Sequence, residues 1–382
     1  MSSLANTPKP KSPLGYHRLL APSAGVRVSP LCLGTANFGE AWKEYMGECS
    51  RETAFSLLDQ FFDNGGNFID TANSYQAGES EVWVGDWMAE RGVRDQIVLA
   101  TKYTSFYPGP GEKLGIRANY QGNNTKSLKL SVDASLKKLK TDYIDLLYVH
   151  WWDFTSSIEE VMQSLNNLVA AGKVLYLGIS DAPAWVVSKA NQYARDHGLR
   201  TFSVYQGRWS AACRDFERDI IPMAKNEGIA LAPWGALGSG NFKSEQQRQS
   251  DDGRRFIPPT EAEIAVAKVL EQIGDKRHTL ITSVALAYVM HKAPYVFPVV
   301  GGRRIEHLKG NIEALSLELS EEEIDEIDAA TPFDVGFPLN FLLSVSGAQY
   351  KLGVKASEIG MVKLAAYLDI VQEPQPIKPR KI

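Results

Sequence analysis

Three cysteines stand in 382 residues, and Cys32, Cys49 and Cys213 are far apart and odd in number. Neither a disulfide framework nor, without a CxxC pair, a zinc site is signalled. A reducing compartment fits best. Long apolar runs are also missing: none approaches the roughly 18 residues of a membrane span. The opening MSSLANTPKPKSPLG has no apolar stretch of the secretory kind. Neither sign of charge dominates, with 41 Lys and Arg against 45 Asp and Glu, intermixed along the chain. Nothing there favours a nucleic-acid or membrane partner, and a cytoplasmic location is expected. A two-domain dinucleotide-binding enzyme needs GxGxxG after an early strand. Neither Gly109-Pro110-Gly111 nor Gly238-Ser239-Gly240 completes that motif, and Walker, HExxH and GxSxG motifs are equally absent.

What is present is an alternation. Short apolar runs at 31–35, 67–70, 97–102, 143–150, 174–180, 202–206, 229–234 and 295–301 read as strands buried on both faces. Most are separated by amphipathic helical stretches. Ala54, Leu57, Leu58, Phe61 and Phe62 form one stripe, with Ser50 as its cap and Gly65-Gly66 as its stop. Val161, Leu165, Leu168 and Val169 repeat the pattern behind a Ser157/Glu160 capping box. Trp83 and Trp87 lie one helical turn apart and are assigned to packing. The fold class is therefore α/β, a (β/α)8 TIM barrel over residues 16–330. A mobile tail (1–15) and a hairpin with Gly25 at its turn (16–30) precede the repeats, and a C-terminal extension (331–382) follows, packing on the barrel or on a partner subunit. The polar stretch 236–258 follows the seventh strand and is either a cofactor-covering loop or disordered.

Four polar residues end, or closely follow, three different strands: Asp70, Tyr75, Lys102 and His150. Taken singly they have plainer readings as a turn starter, a packing ring, a surface charge and a buried histidine. Strand ends of a barrel converge on one mouth, so together they form a candidate site. The chemistry that fits is carbonyl reduction. Hydride addition leaves charge on oxygen, which needs a proton donor and neighbouring donors. Tyr75 would be the acid, its pKa lowered by Lys102. Asp70 would hold the ammonium, and His150 would offer a ring N–H. Such groups need a hydride-carrying cofactor.

With these residues in place the sequence resembles the aldo-keto reductases, roughly from His17 to residue 330. FIDTANSY (68–75), Ala100-Thr101-Lys102 and Tyr148-Val149-His150 look like the family's tetrad segments. Residues 172–191 and 295–315, and the C-terminal extension, resemble the fungal aryl-alcohol dehydrogenases and norsolorinic acid reductases, which suggests fungal secondary metabolism. The resemblance implies NADP(H). Ser180, Asp181 and Gln206 match carboxamide-binding positions, although most relatives have Asn in place of Asp181, whose plainer reading is a helix N-cap. Gly301, Gly302, Arg303, Arg304, His307 and Asn311 match the adenosine-phosphate end, with Arg303 chosen for the 2′-phosphate and Arg304 as the alternate. Leu231, Pro233, Trp234 and Gly235 match the seventh-strand segment beside nicotinamide. Leu231 stands where relatives often have a stacking aromatic; either Trp234 compensates or the register differs by a residue or two.

Aromatics crowd the expected mouth. Trp42, Phe106, Tyr107, Trp151, Trp152 and Trp209 are candidates for a pocket that takes a small aromatic carbonyl or alcohol, with at least half expected only to pack loops. The reading is an NADPH-dependent reductase of aromatic aldehydes or ketones, reversible as an aryl-alcohol dehydrogenase. Its rivals are a cofactor-binding regulatory subunit, as the potassium-channel β subunits are in the same superfamily, and a non-redox barrel. A homo-oligomer stays open.

Overall fold

In the computed structural model the described residues are 6–108, 113–245, 247, 258–344, 352, 356–371 and 373–380. Two strands, β1 (Arg18–Ala21) and β2 (Ala24–Val28), form an antiparallel hairpin. Its turn is Pro22-Ser23, because Ala21 pairs with Ala24. Gly25 was expected at that turn but lies inside β2.

Eight parallel strands follow: β3 (Cys32–Gly34), β4 (Phe68–Asp70), β5 (Val98–Tyr103), β6 (Ile144–Val149), β7 (Val174–Ser180), β8 (Phe202–Arg208), β9 (Ala230–Trp234) and β10 (Val299–Val300). They pair in the order β10-β3-β4-β5-β6-β7-β8-β9. The ring closes between β9 and the run before β10. Leu231 N–H donates to the Tyr295 carbonyl at 3.0 Å, and Phe297 N–H donates to the Leu231 carbonyl at 2.8 Å. The eighth apolar run is thus split. Pro298 has no N–H to give the ladder, and only two residues beyond it form regular strand.

Among the described residues ten helices of eight residues or more surround the barrel: α1 (Arg51–Asp63), α2 (Glu79–Arg91), α3 (Thr125–Lys138), α4 (Ile158–Ala170), α5 (Ala184–Asp196), α6 (Ile220–Glu227), α7 (Glu261–Arg277), α8 (Ile281–Lys292), α9 (Ile305–Glu313) and α10 (Glu321–Ala329). Ser50 caps α1 as expected, accepting from Thr53 N–H at 3.2 Å. Only half of the expected capping box forms on α4. Ser157 accepts from Glu160 N–H, but the Glu160 carboxylate turns to the backbone and hydroxyl of Thr125, both at 2.9 Å, and holds the start of α3. Trp87 packs as expected, buried with its indole N–H on Asp59. Among the described residues no helix is long and apolar enough to cross a membrane.

Strand alternation sorts the core in two. Leu33, Ile69, Leu99, Leu147, Leu177 and Leu231 face the helices. Phe68, Val98, Ala100, Leu146, Val204 and Phe297 fill the barrel, joined by Leu20, Ala21, Ala24 and Val28 of the hairpin. Asn67, just before β4, accepts from Ser29 N–H and donates to the Arg27 carbonyl. The hairpin therefore plugs the end at which the strands begin. Gly178 leaves room inside for the Tyr148 ring, since a Cβ there would sit 2.5 Å from two ring carbons. Gly178→Ala is expected to cost about 1–3 kcal/mol by overpacking, read as a lower denaturant midpoint at unchanged slope.

The chain past α10 runs back along the barrel. Phe333 lies under the guanidinium groups of Arg214 and Arg218, in the segment after β8. Farther on, Glu373 pairs with Lys225 at 2.8 Å, Lys378 pairs with Glu318 at 3.0 Å, and Arg380 covers the Tyr16 ring.

Candidate active site

The inward phase of the strands puts Asp70, Lys102, Ser180, Gln206 and Trp234 at interior positions where their strands end, with His150 one residue past β6. Tyr75 begins a short 3-10 turn after β4. The four expected catalytic residues meet. Lys102 has no exposed surface and Asp70 has 2%. The ammonium donates to Asp70 Oδ1 at 2.5 Å, to the Thr71 carbonyl at 2.8 Å and to the Tyr75 hydroxyl at 3.2 Å. Three acceptors match the three N–H bonds of a buried ammonium, which makes the charge tolerable there. The Tyr75 and His150 rings meet edge to face, 5.8 Å between centroids.

Electrostatics fix the protonation states. Burial raises the Tyr75 pKa and Asp70 adds to it, while Lys102 pulls the other way. The sequence led us to expect a net lowering; burial wins instead. Tyr75 is therefore a neutral phenol, the state an acid needs before it acts. Burial acts to lower Lys102, but the Asp70 charge and Tyr75 outweigh it and hold it above its ordinary value. Burial, aided by Lys102, pushes His150 down to about 3, so its ring is neutral.

The cofactor candidates fall at two places. Ser180 Oγ–H donates to Asp181 Oδ2 at 3.0 Å. Burial raises the Asp181 pKa, against hydrogen bonds from Ser180 and Trp234. Asp181 is not a helix cap: α5 has Pro183 at its N-cap, and Asp181 itself has φ 44. Gln206 Nε2–H donates to Asp70 Oδ2 at 3.0 Å, so this amide also steadies the carboxylate. Leu231 is a correction. It is 2% exposed and faces the helices, one residue out of phase with the site, as is Pro233. Trp234 is in phase and half-buried, followed by Gly235 at φ 73.

At the other place, Gly301 and Gly302 lead into α9, and the Gly302 carbonyl accepts from Asn37 Nδ2–H at 2.9 Å. The N-cap of α9, Arg304, makes no side-chain cap bond, so no capping side chain covers the first turn, where His307 N–H donates to the Arg304 carbonyl at 3.2 Å. The Arg303 guanidinium lies where a Cβ on Gly47 would be. His307 is lowered by burial and by both arginines, and Asn311 is 4% exposed farther along α9.

Of the aromatic candidates, Trp42 meets Tyr75 edge-on at 6.5 Å, and Trp151 donates its indole N–H to Ser105. Phe106 lies beside Arg117, and Tyr107 tilts against Tyr120. Trp152 is 8% exposed and Trp209 has no exposed surface at all. Trp209 stacks on Phe216 at 5.9 Å and packs the core instead of lining a pocket.

Two site-shaping residues escaped the sequence reading. Gln76 Nε2–H donates to the Ala36 carbonyl, and its Oε1 accepts from Trp42 N–H at 2.7 Å. Glu79 accepts from the backbone N–H groups of Glu40 and Ala41. The turn that carries the phenol thus clamps the loop that carries Trp42. Gln76 and Ala77 hold φ 52 and 54 to do so, a conformation rare for residues with side chains. No propensity in the sequence signals it.

The sequence profile of the aldo/keto reductase family matches residues 30–332. The chain belongs to the aldo/keto reductase family. Norsolorinic acid reductase of Aspergillus flavus is 59% identical over 376 residues, covering 98% of this chain and 96% of its own length. Norsolorinic acid reductase B of Dothistroma septosporum is 58% identical, covering 95% and 94%. The aryl-alcohol dehydrogenase [NADP(+)] of Phanerodontia chrysosporium is 47% identical over the full length of both chains. As an aldo/keto reductase the protein is an oxidoreductase that uses a nicotinamide cofactor. Its residues fit that group. An uncapped helix start beside two arginines suits phosphate, and polar groups deep in the mouth suit a carboxamide.

Proposed function

We propose that the protein reduces aromatic aldehydes and ketones to alcohols with NADPH, reversibly, using Tyr75 as the general acid. The observation that carries this is the Tyr75 hydroxyl held 3.2 Å from a fully buried, charged Lys102. NADPH supplies the hydride when bound. Ser180, Asp181, Gln206, Trp234 and Gly235 would hold its nicotinamide end, and Gly301, Gly302, Arg303, Arg304, His307 and Asn311 its adenosine end.

As charge develops on the carbonyl oxygen, the Tyr75 O–H gives up its proton. Lys102 is 3.2 Å from the oxygen that becomes phenolate and stabilises it through a contact already made. Asp70 keeps the ammonium in place, and Gln206 keeps Asp70 in place. Neutral His150 offers a ring N–H to the same carbonyl oxygen. Trp42 beside the phenol favours a flat apolar substrate. The aryl-alcohol and norsolorinic acid names of the relatives support that choice.

The test follows loss of NADPH absorbance over a panel of aromatic aldehydes and ketones. Turnover is the expected result. Tight cofactor binding without turnover would instead support a regulatory subunit. For the 2′-phosphate, Arg303→Ala is expected to weaken NADPH by about 10- to 100-fold, the worth of a lost charge-assisted bond, and NADH hardly at all. Titration of both cofactors by tryptophan fluorescence checks it, and equal losses would refute the assignment.

A further inference from the structure

Ser105 has no part in the mechanism above, yet three elements converge to hold it. Its carbonyl accepts from Asn73 Nδ2–H at 3.1 Å. The residue before it, Thr104, has φ 95, an outlier for a β-branched side chain. Thr104 keeps this strained backbone while its hydroxyl accepts from Asn123 Nδ2–H at 3.0 Å and His150 N–H at 3.3 Å. Strain of this kind persists where surroundings over-determine it, and it gathers at functional sites. Its effect here is to put Ser105 Oγ 3.3 Å from His150 Nδ1 and 3.1 Å from Trp151 Nε1.

Counting protons decides the direction of the chain. An indole N–H can only donate, so Ser105 Oγ accepts from Trp151. The serine has one O–H left to place, and among the described residues only His150 Nδ1 stands ready to accept it. His150 is neutral, so one ring nitrogen carries hydrogen and the other accepts. A hydrogen on Nδ1 would aim two donors at Oγ and leave the serine proton without a partner. We propose that Ser105 is a positioning residue that fixes His150 as the Nε2–H tautomer through the chain Trp151–Ser105–His150. A donor, and not a lone pair, then faces the carbonyl oxygen. That use of the tautomer rests on the proposed function; the tautomer itself does not.

The experiment is ¹⁵N-histidine labelling of the full chain, with long-range ¹H–¹⁵N spectra at neutral pH. Only six histidines need assignment. Wild-type His150 is expected to show hydrogen on Nε2. In Ser105→Ala the signal should move towards a mixture of tautomers. Its kcat for an aromatic aldehyde should fall about tenfold, the factor one hydrogen bond of ordinary strength supplies. NADPH affinity should hold, since Ser105 is remote from the α9 end. Ser105→Thr, which keeps the hydroxyl, should restore both spectrum and rate. Hydrogen on Nδ1 in the wild type would overturn the proposal, with or without a folded alanine variant. So would an unchanged Nε2–H signal in Ser105→Ala. If no aromatic carbonyl turned over, the proposed function would fail while the spectra still decided the tautomer.

Discussion

Tyr75→Phe is expected to lower kcat for an aromatic aldehyde by about 10²- to 10⁴-fold, the usual worth of a general acid. The ring stays, so its edge contacts with Trp42 and His150 survive. Lys102 keeps Asp70 and the Thr71 carbonyl as partners, so its charge survives too. NADPH binding and melting temperature should therefore stay near wild type. Loss of NADPH absorbance gives the rate, and fluorescence titration gives the affinity. Turnover within a few fold of wild type would remove the phenol from the mechanism.

A larger effect on the fold is expected from Lys102→Met. The substitution keeps much of the side-chain volume but strands the Asp70 carboxylate in a site with 2% exposure. Breaking a buried pair from one side costs about 3–5 kcal/mol. Gln206 still donates to Asp70, which puts the expected loss near the lower figure. Adding Asp70→Asn removes the stranded charge, so the double variant should regain stability while staying inactive. Denaturant melts of the wild type, both single variants and the double variant close the cycle. Additive losses would mean that the two groups do not depend on each other.

Much of this site could be read in advance because barrel geometry turns sequence phase into location. Asp70, Lys102 and His150 each end an apolar run, and such ends share one mouth whatever their separation in the chain. Leu231 fell outside for the same reason. A shift of one residue carries a strand position to the other face, and family resemblance alone did not fix that phase. Trp209 looked like a pocket aromatic because nothing local announces its partner, Phe216. Gln76, Ala77 and Thr104 were invisible for another cause. Their φ values are positive against local preference, and the tertiary hydrogen bonds of Gln76 and Thr104 accompany them. The balance at Tyr75 was misjudged because the cost of burial depends on depth, which the sequence does not give.

The hairpin that fills the lower barrel and the tail that returns to it have a joint effect. Tyr16 and Arg380 touch at the pole opposite the phenol, so the approach to the hairpin and the returning tail meet on the sealed side. A label carried on Tyr16 or Arg380 would hang from that side. The mouth would then stay turned outward, and bulk added there would meet neither the Trp42 loop nor the arginines of α9.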